Sequence, residues 1–171
     1  MKSTIAAPAR TGILTILFIA AFACESAGQV KERTPEELAA RADVIAVGKV
    51  SALVSQWNSD HSRIFTTVTL AVDQYLKGGN VPGPLNILVA GGEVDGVGEM
   101  YSHTATFRRD ESILVFAEKD RQGNYRVSGG TQGKYTVTRD GTTGNLIVGE
   151  TRTLQEMAAL VKKAVQDQHQ K

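Results

Sequence analysis

The sequence predicts a mainly β protein: a small antiparallel barrel flanked by a short N-terminal helix and a longer C-terminal helix. Three observations predict it. Apolar residues recur at every second position in a series of short runs, the pattern of half-buried strands. Glycine-rich segments separate those runs, as turns between antiparallel strands require. Helix-start signals stand only before the first run and after the last, and this absence of strand–helix alternation argues against a doubly wound parallel sheet. The chain has 171 residues, room for one domain. Hydrophobic residues make up 42% and charged residues 22%, which places it outside the disordered and fibrous classes.

Residues 1–23 carry the three parts of an export signal. Lys2 and Arg10 give a positive beginning, Ile13 to Phe22 an apolar centre, and Ala20, Ala21 and Ala23 a small-residue end. The apolar stretch from Thr11 to Ala23 is 13 residues long. A membrane span needs about 20, so the expectation is a removable leader. Ala21-Phe22-Ala23-Cys24 resembles the bacterial lipobox, in which lipid is attached to the cysteine and cleavage falls just before it. Ala21 stands where that pattern prefers Leu. The other reading of the same residues is ordinary cleavage at the A-x-A pattern Ala21-Phe22-Ala23. A lone thiol is a liability in an oxidising compartment, which favours lipid on Cys24. Residues 24–33 then read as a polar tether, and residues 34–169 as a single domain.

Within that domain, Thr34-Pro35-Glu36-Glu37 is a helix start, with Thr34 as cap, Pro35 in the first turn and Glu37 reaching back. The helix is expected to reach Ala42, with Leu38 and Ala42 inward. Val44–Val54 opens apolar on both faces, with Ile45 and Val47 opposite Val44 and Ala46. Arg63–Leu76 places Ile64, Thr66, Val68, Leu70, Val72 and Leu76 on one face. About 14 residues is long for a strand, so coiling or a bulge is expected. Residues 78–84 end it as a loop. Leu85–Ala90, Met100–Phe107 and Ser112–Ala117 are the next strands, the last apolar throughout and so central. Arg108–Glu111 is a tight turn. Tyr125–Ser128 and Lys134–Thr138 flank a glycine-rich turn at 129–133, and Leu146–Val148 follows Asp140-Gly141. Thr153-Leu154-Gln155-Glu156 starts the last helix, where Leu154, Met157, Ala158, Val161, Ala164 and Val165 form an apolar stripe that docks on the barrel.

Ala42-Asp43-Val44-Ile45-Ala46-Val47-Gly48-Lys49-Val50 and Val72-Asp73-Gln74-Tyr75-Leu76-Lys77-Gly78 resemble the pattern AD-V-I-x-x-G-x-V…V-x-x-x-L-K-G of bacterial secreted proteins. The chain is also similar, more distantly, to netrin-like modules, including tissue inhibitors of metalloproteases. The resemblance covers roughly residues 35–140 and implies an OB-type barrel flanked by helices. In those inhibitors the mature N-terminal cysteine is tied by a disulfide, and its amine and carbonyl chelate the target's zinc. Cys24 has no partner cysteine in this chain, and lipid would block its amine. The resemblance therefore carries the barrel and not the chemistry.

Candidate functional residues are few. One cysteine excludes a disulfide framework, and three histidines, at 61, 103 and 169, leave little for a metal site. Asp60-His61-Ser62 holds the residue types of a hydrolase triad, but triad members converge from separate segments, so it reads as a polar loop. His103 lies beside Ser102 with Glu99 and Asp95 nearby in sequence. Gly91–Glu99 packs four glycines with Glu93, Asp95 and Glu99 into nine residues. It lacks the ligand alternation of an EF-hand and the Lys-Ser/Thr of a phosphate loop, and reads as a hairpin tip. Trp57, the single tryptophan, is expected in a loop and is a recognition candidate. The candidate binding residues are thus Trp57, His61, Glu93, Asp95, Glu99 and His103, with Cys24 for lipid and no catalytic, metal or cofactor residue assigned.

Net charge is +1, and without Lys2 and Arg10 17 basic residues face 18 acidic ones, no basis for nucleic-acid binding. The expected function is an exported, lipid-anchored, non-catalytic binding or assembly module at the periplasmic or extracellular face of a membrane. Its expected partner is an envelope or extracellular macromolecule. Two alternatives stay open: a hydrolase or metal-dependent enzyme using His61 and His103 with Glu99 or Asp95, and a secreted protease inhibitor by analogy of fold.

Overall fold

The structure, a computed structural model, describes residues 31–79 and 82–169. Apart from Lys31 they belong to one compact unit. The leader, Cys24 and most of the tether lie outside the described residues.

Helix α1 (Pro35–Arg41) begins with the capping box read from the sequence. The Glu37 amide donates to Thr34 Oγ1 at 3.3 Å, and the Glu37 carboxylate accepts from the Thr34 amide at 3.1 Å. Its C-terminal carbonyls are also met. Lys77 Nζ donates to the Ala39 carbonyl and the Gln168 side-chain amide to that of Ala40, each at 2.8 Å.

Among the described residues ten strands follow: β1 (Val44–Trp57), β2 (Ile64–Lys77), β3 (Leu85–Ala90), β4 (Gly92–Val94), β5 (Val97–Glu99), β6 (Ser112–Lys119), β7 (Tyr125–Val127), β8 (Lys134–Arg139), β9 (Leu146–Val148) and β10 (Arg152–Thr153). A 3₁₀ turn at Gly130–Gly133 precedes β8, and helix α2 (Leu154–His169) closes the chain. Its own capping box joins the Glu156 amide to Thr153 Oγ1 and the Glu156 carboxylate to the Thr153 amide.

Five strands close into a barrel in the order β1-β2-β3-β7-β6, with β6 pairing back onto β1. The closure is compatible with an OB-like barrel. All its neighbours are antiparallel except β3 and β7, which run parallel and meet, among the described residues, at the single pair Ile87–Tyr125. β6 is central, as its apolar run predicts: β1 lies along one edge, and β7 and β8 share the other. β8, β9 and β10 leave the barrel as a ribbon that carries α2.

There are two apolar cores because β1 and β6 are buried on both faces. Val44, Ala46 and Val50 of β1 and Ile113 and Val115 of β6 point into the barrel with Val68, Leu70, Leu85 and Ile87. Ile45, Val47, Leu114 and Phe116 point outward, under Leu38, Met157 and Val161 of the two helices. Strands sandwiched this way read as continuous apolar runs rather than alternating ones.

Two expectations are corrected. Met100–Phe107 is not a strand. Ala105 is buried and Thr106 exposed, so its period-two pattern is real, but the segment joins no ladder. His103 takes a left-handed backbone (φ 65°), which a strand does not sustain. The second concerns the faces of β2. Its pairing with β1 slips where Leu76 and Asp73 have no partner, and where Ser51 of β1 has none. A bulge flips the alternation beyond it. Leu76 therefore leaves the face it shared with Val72 and packs under α2, while Tyr75 turns towards the barrel interior.

Candidate functional site

Past Val50, β1 no longer pairs with β6, yet β1 and β2 stay paired as far as Trp57–Ile64. They form an arm that extends beyond the closed ring. The arm's end is a polar loop, as expected. The Ser62 hydroxyl donates to Asp60 at 2.6 Å, and this bond with that of the Ser62 amide holds the Asp60 carboxyl below its ordinary value. Ser62 thus gives its proton to Asp60 rather than to His61. The His61 ring stacks on Trp57, with centroids 6.2 Å apart.

Gly91–Glu99 folds back across this arm as the β4–β5 hairpin. Asp95 (φ 51°) and Gly96 (φ 79°) form its two-residue turn, the left-handed pair that matches strand twist. Three bonds fasten the hairpin to β2. The Gly91 amide donates to the Ile64 carbonyl at 2.8 Å, the Thr66 hydroxyl to the Gly91 carbonyl at 2.7 Å, and the Ile64 amide to Glu99 Oε2 at 2.9 Å. Gly92 (φ 136°) lies so close to the arm that a Cβ there would strike the Ser55 and Thr66 hydroxyls. A side chain at 92 would lift the hairpin.

The chain then runs back from Met100 to Phe107 as the opposite wall. Its backbone is pinned where Thr131 donates to the His103 carbonyl at 3.1 Å, and where Asp110 and Glu111 exchange bonds with Val50. Phe107 lies under the Lys134 ammonium, 5.3 Å from the ring centroid. Lys134 pairs with Glu111, and both side chains are nearly buried, 13% and 15% exposed. Thr136 adds a bond to the same carboxylate. Desolvation pushes the Glu111 carboxyl up, but the bonds from Lys134, the Arg108 amide and Thr136, with the Lys134 charge, outweigh it and leave it below its ordinary value.

Arm, hairpin and returning segment enclose a cleft of about 780 Å³. This is within the range of small-molecule sites. Its walls are mostly apolar, built from Val68, Val89, Ala105 and Phe107, with Leu53 and Met100 at the rim. Met100 is 91% exposed and Leu53 37%, unusual positions for large apolar side chains in adjoining wall segments. The polar lining is Ser55, Thr66, Glu93, Glu99 and Tyr101, with the hydroxyls of Thr104 and Thr106. Tyr101 donates to Glu99 Oε2 at 2.9 Å. That bond, with burial and the Glu99 charge, raises the phenol above its ordinary pKa against the opposing pull of Arg63. Arg63 lies over the Tyr101 ring, 6.0 Å from its centroid.

The candidate residues read from the sequence separate into two groups. Glu93 and Glu99 line the cleft, and Asp95 sits at the turn of the hairpin that forms one wall. Trp57, expected in a loop, is instead the last residue of β1, paired with Ile64, and stacks on His61, while His103 holds the returning segment through its carbonyl; none of the three lines the cleft. Among the described residues no three His, Cys, Asp or Glu side chains gather as a metal-holding group. Ser55, Thr66, Tyr101, Leu53 and Met100 were not foreseen. The doublet Gly91-Gly92 directly after a strand is the sequence signal for the close backbone approach that creates the site. No known protein-family model matches this chain, and no curated protein matches it.

Proposed function

We propose that this protein is a non-catalytic binding module that holds the apolar part of a ligand in the cleft at the open end of its barrel. The observation that carries the reading is the cleft itself, with apolar walls fixed by side-chain bonds and an exposed Met100 and Leu53 at its rim. An apolar surface left open to water costs free energy that a ligand recovers on binding. Leader and lipobox resemblance at residues 1–24 support an exported protein anchored through Cys24. The OB-like closure of the barrel is consistent with the netrin-like resemblance, which supplies no ligand.

The neutral fluorophore N-phenyl-1-naphthylamine tests the binding reading. The full chain is expected to bind it saturably at one site, and L53S/M100S to weaken it about tenfold, as loss of two apolar rim contacts implies. No saturable binding to the native chain overturns the reading. Intact mass of protein isolated from its host tests the address: a chain starting at Cys24 and carrying lipid is expected, and one still starting at Met1 refutes it.

A further inference from the structure

The hydrogen-bond bookkeeping inside the cleft says more than its apolar walls do. A hydroxyl has one proton to give. The Thr66 proton goes to the Gly91 carbonyl, so in the 2.9 Å contact between Ser55 and Thr66 the serine must be the donor. Ser55 Oγ then has only lone pairs left for a ligand. The Tyr101 proton is committed to Glu99. Glu99 accepts from both the Ile64 amide and Tyr101 on Oε2, and its other oxygen takes no bond from either. Glu93 is a second carboxylate in the lining, and among the described residues no lysine, arginine or histidine lines the cleft with it. Thr104 and Thr106 can play either role. The bonded side chains of the cleft therefore present acceptors and negative charge, and their protons are spent.

We infer that the cleft takes a cationic amphiphile: an apolar body carrying a primary or secondary ammonium, whose N–H groups meet Glu99 and Ser55 while the body lies against Val68, Val89 and Phe107. The proposal rests on the binding reading above and adds charge and donor chemistry to it. An ammonium supplies donors to the acceptors of Glu99 and Ser55, and a charge-assisted bond to a carboxylate is about twice as strong as a neutral one. A carboxylate-headed amphiphile would face Glu93 and Glu99 with like charge.

Three probes of equal chain length, decylamine, decanol and decanoate, separate the terms when titrated calorimetrically into the full chain at pH 7, below their aggregation concentrations. Decylamine is expected to bind about tenfold more tightly than decanol, and decanoate more weakly than either. E99Q keeps acceptors for Ile64 and Tyr101 and so keeps the hairpin fastened. It is expected to remove most of the amine's advantage over decanol, and E93Q to remove less. R63Q takes a cation from the neighbourhood of Glu99 and is expected to tighten decylamine alone. Equal binding of amine and alcohol, tightest binding of decanoate, or an amine preference that survives E93Q/E99Q overturns this inference and leaves the apolar site standing. Failure of all three probes to bind overturns both.

Discussion

The two halves of β1 contain similar residues and meet opposite fates. Val44–Val50 is buried along nearly its whole length, one face inside the barrel and the other under the helices. Ala52–Trp57 is also rich in apolar side chains, yet Leu53 and Val54 are exposed. Hydrophobicity along the strand does not separate the halves. Neighbours do: β6 pairs with the first half and stops at Lys49, and beyond it the space belongs to a thin hairpin and an extended segment that leave a cleft. The buried half holds the fold together, and the arm lines the cleft.

The contrast is broken most forcefully at its closed end. Phe116 is fully buried on the helix side of β6, edge-on to Tyr135. F116A is expected to lower unfolding free energy by about 3–5 kcal/mol, read from denaturant melts. A loss below about 1 kcal/mol would mean that the outer core is dispensable.

The Glu111–Lys134 pair lies between the two regions, since it joins the turn that follows the cleft wall to β8, which pairs with β6. Because the folded protein holds the Glu111 carboxyl below its ordinary value of 4.5, the stability it adds is present above that value and is lost as pH falls through the lower folded one. E111Q is expected to destabilise at pH 6 by about 1–2 kcal/mol, and the gap to the native chain should narrow as pH falls below 4.5. A gap that stays constant with pH would assign Glu111 no ionic role.

The smallest effect belongs to the open end. M100S and L53A are each expected to change stability by less than about 0.5 kcal/mol, because Met100 is almost fully exposed and Leu53 belongs to neither core. A loss comparable to that of F116A would show that the rim is part of the core.

Local chemistry made much of this legible. Both helix starts are capping boxes whose four groups lie within four residues, and both formed as read. β3 matched its run of alternating residues end to end, and β6 its continuous apolar run. Met100–Phe107 misled because alternation reports only that one face is wetter than the other. A strand also needs a partner, and this segment joins no ladder. Leu76 and Tyr75 exchanged faces because a bulge depends on the register of two strands together. Of the cleft, Glu93 and Glu99 stood out through their glycine-rich setting, whereas Ser55, Thr66 and Tyr101 carried no mark of their own.

What the sequence determined by itself is whatever a short segment can decide from its own periodicity and caps: the two helices, most strands, the turns and the doubly buried character of β1 and β6. Tertiary structure alone decided how the ring closes and what its open end encloses. Ile64 and Glu99 are 35 residues apart in the chain yet share the bond that fastens the hairpin. Such a contact forms only after three strands have set their mutual register, and that register is a property of the whole sheet rather than of any one segment.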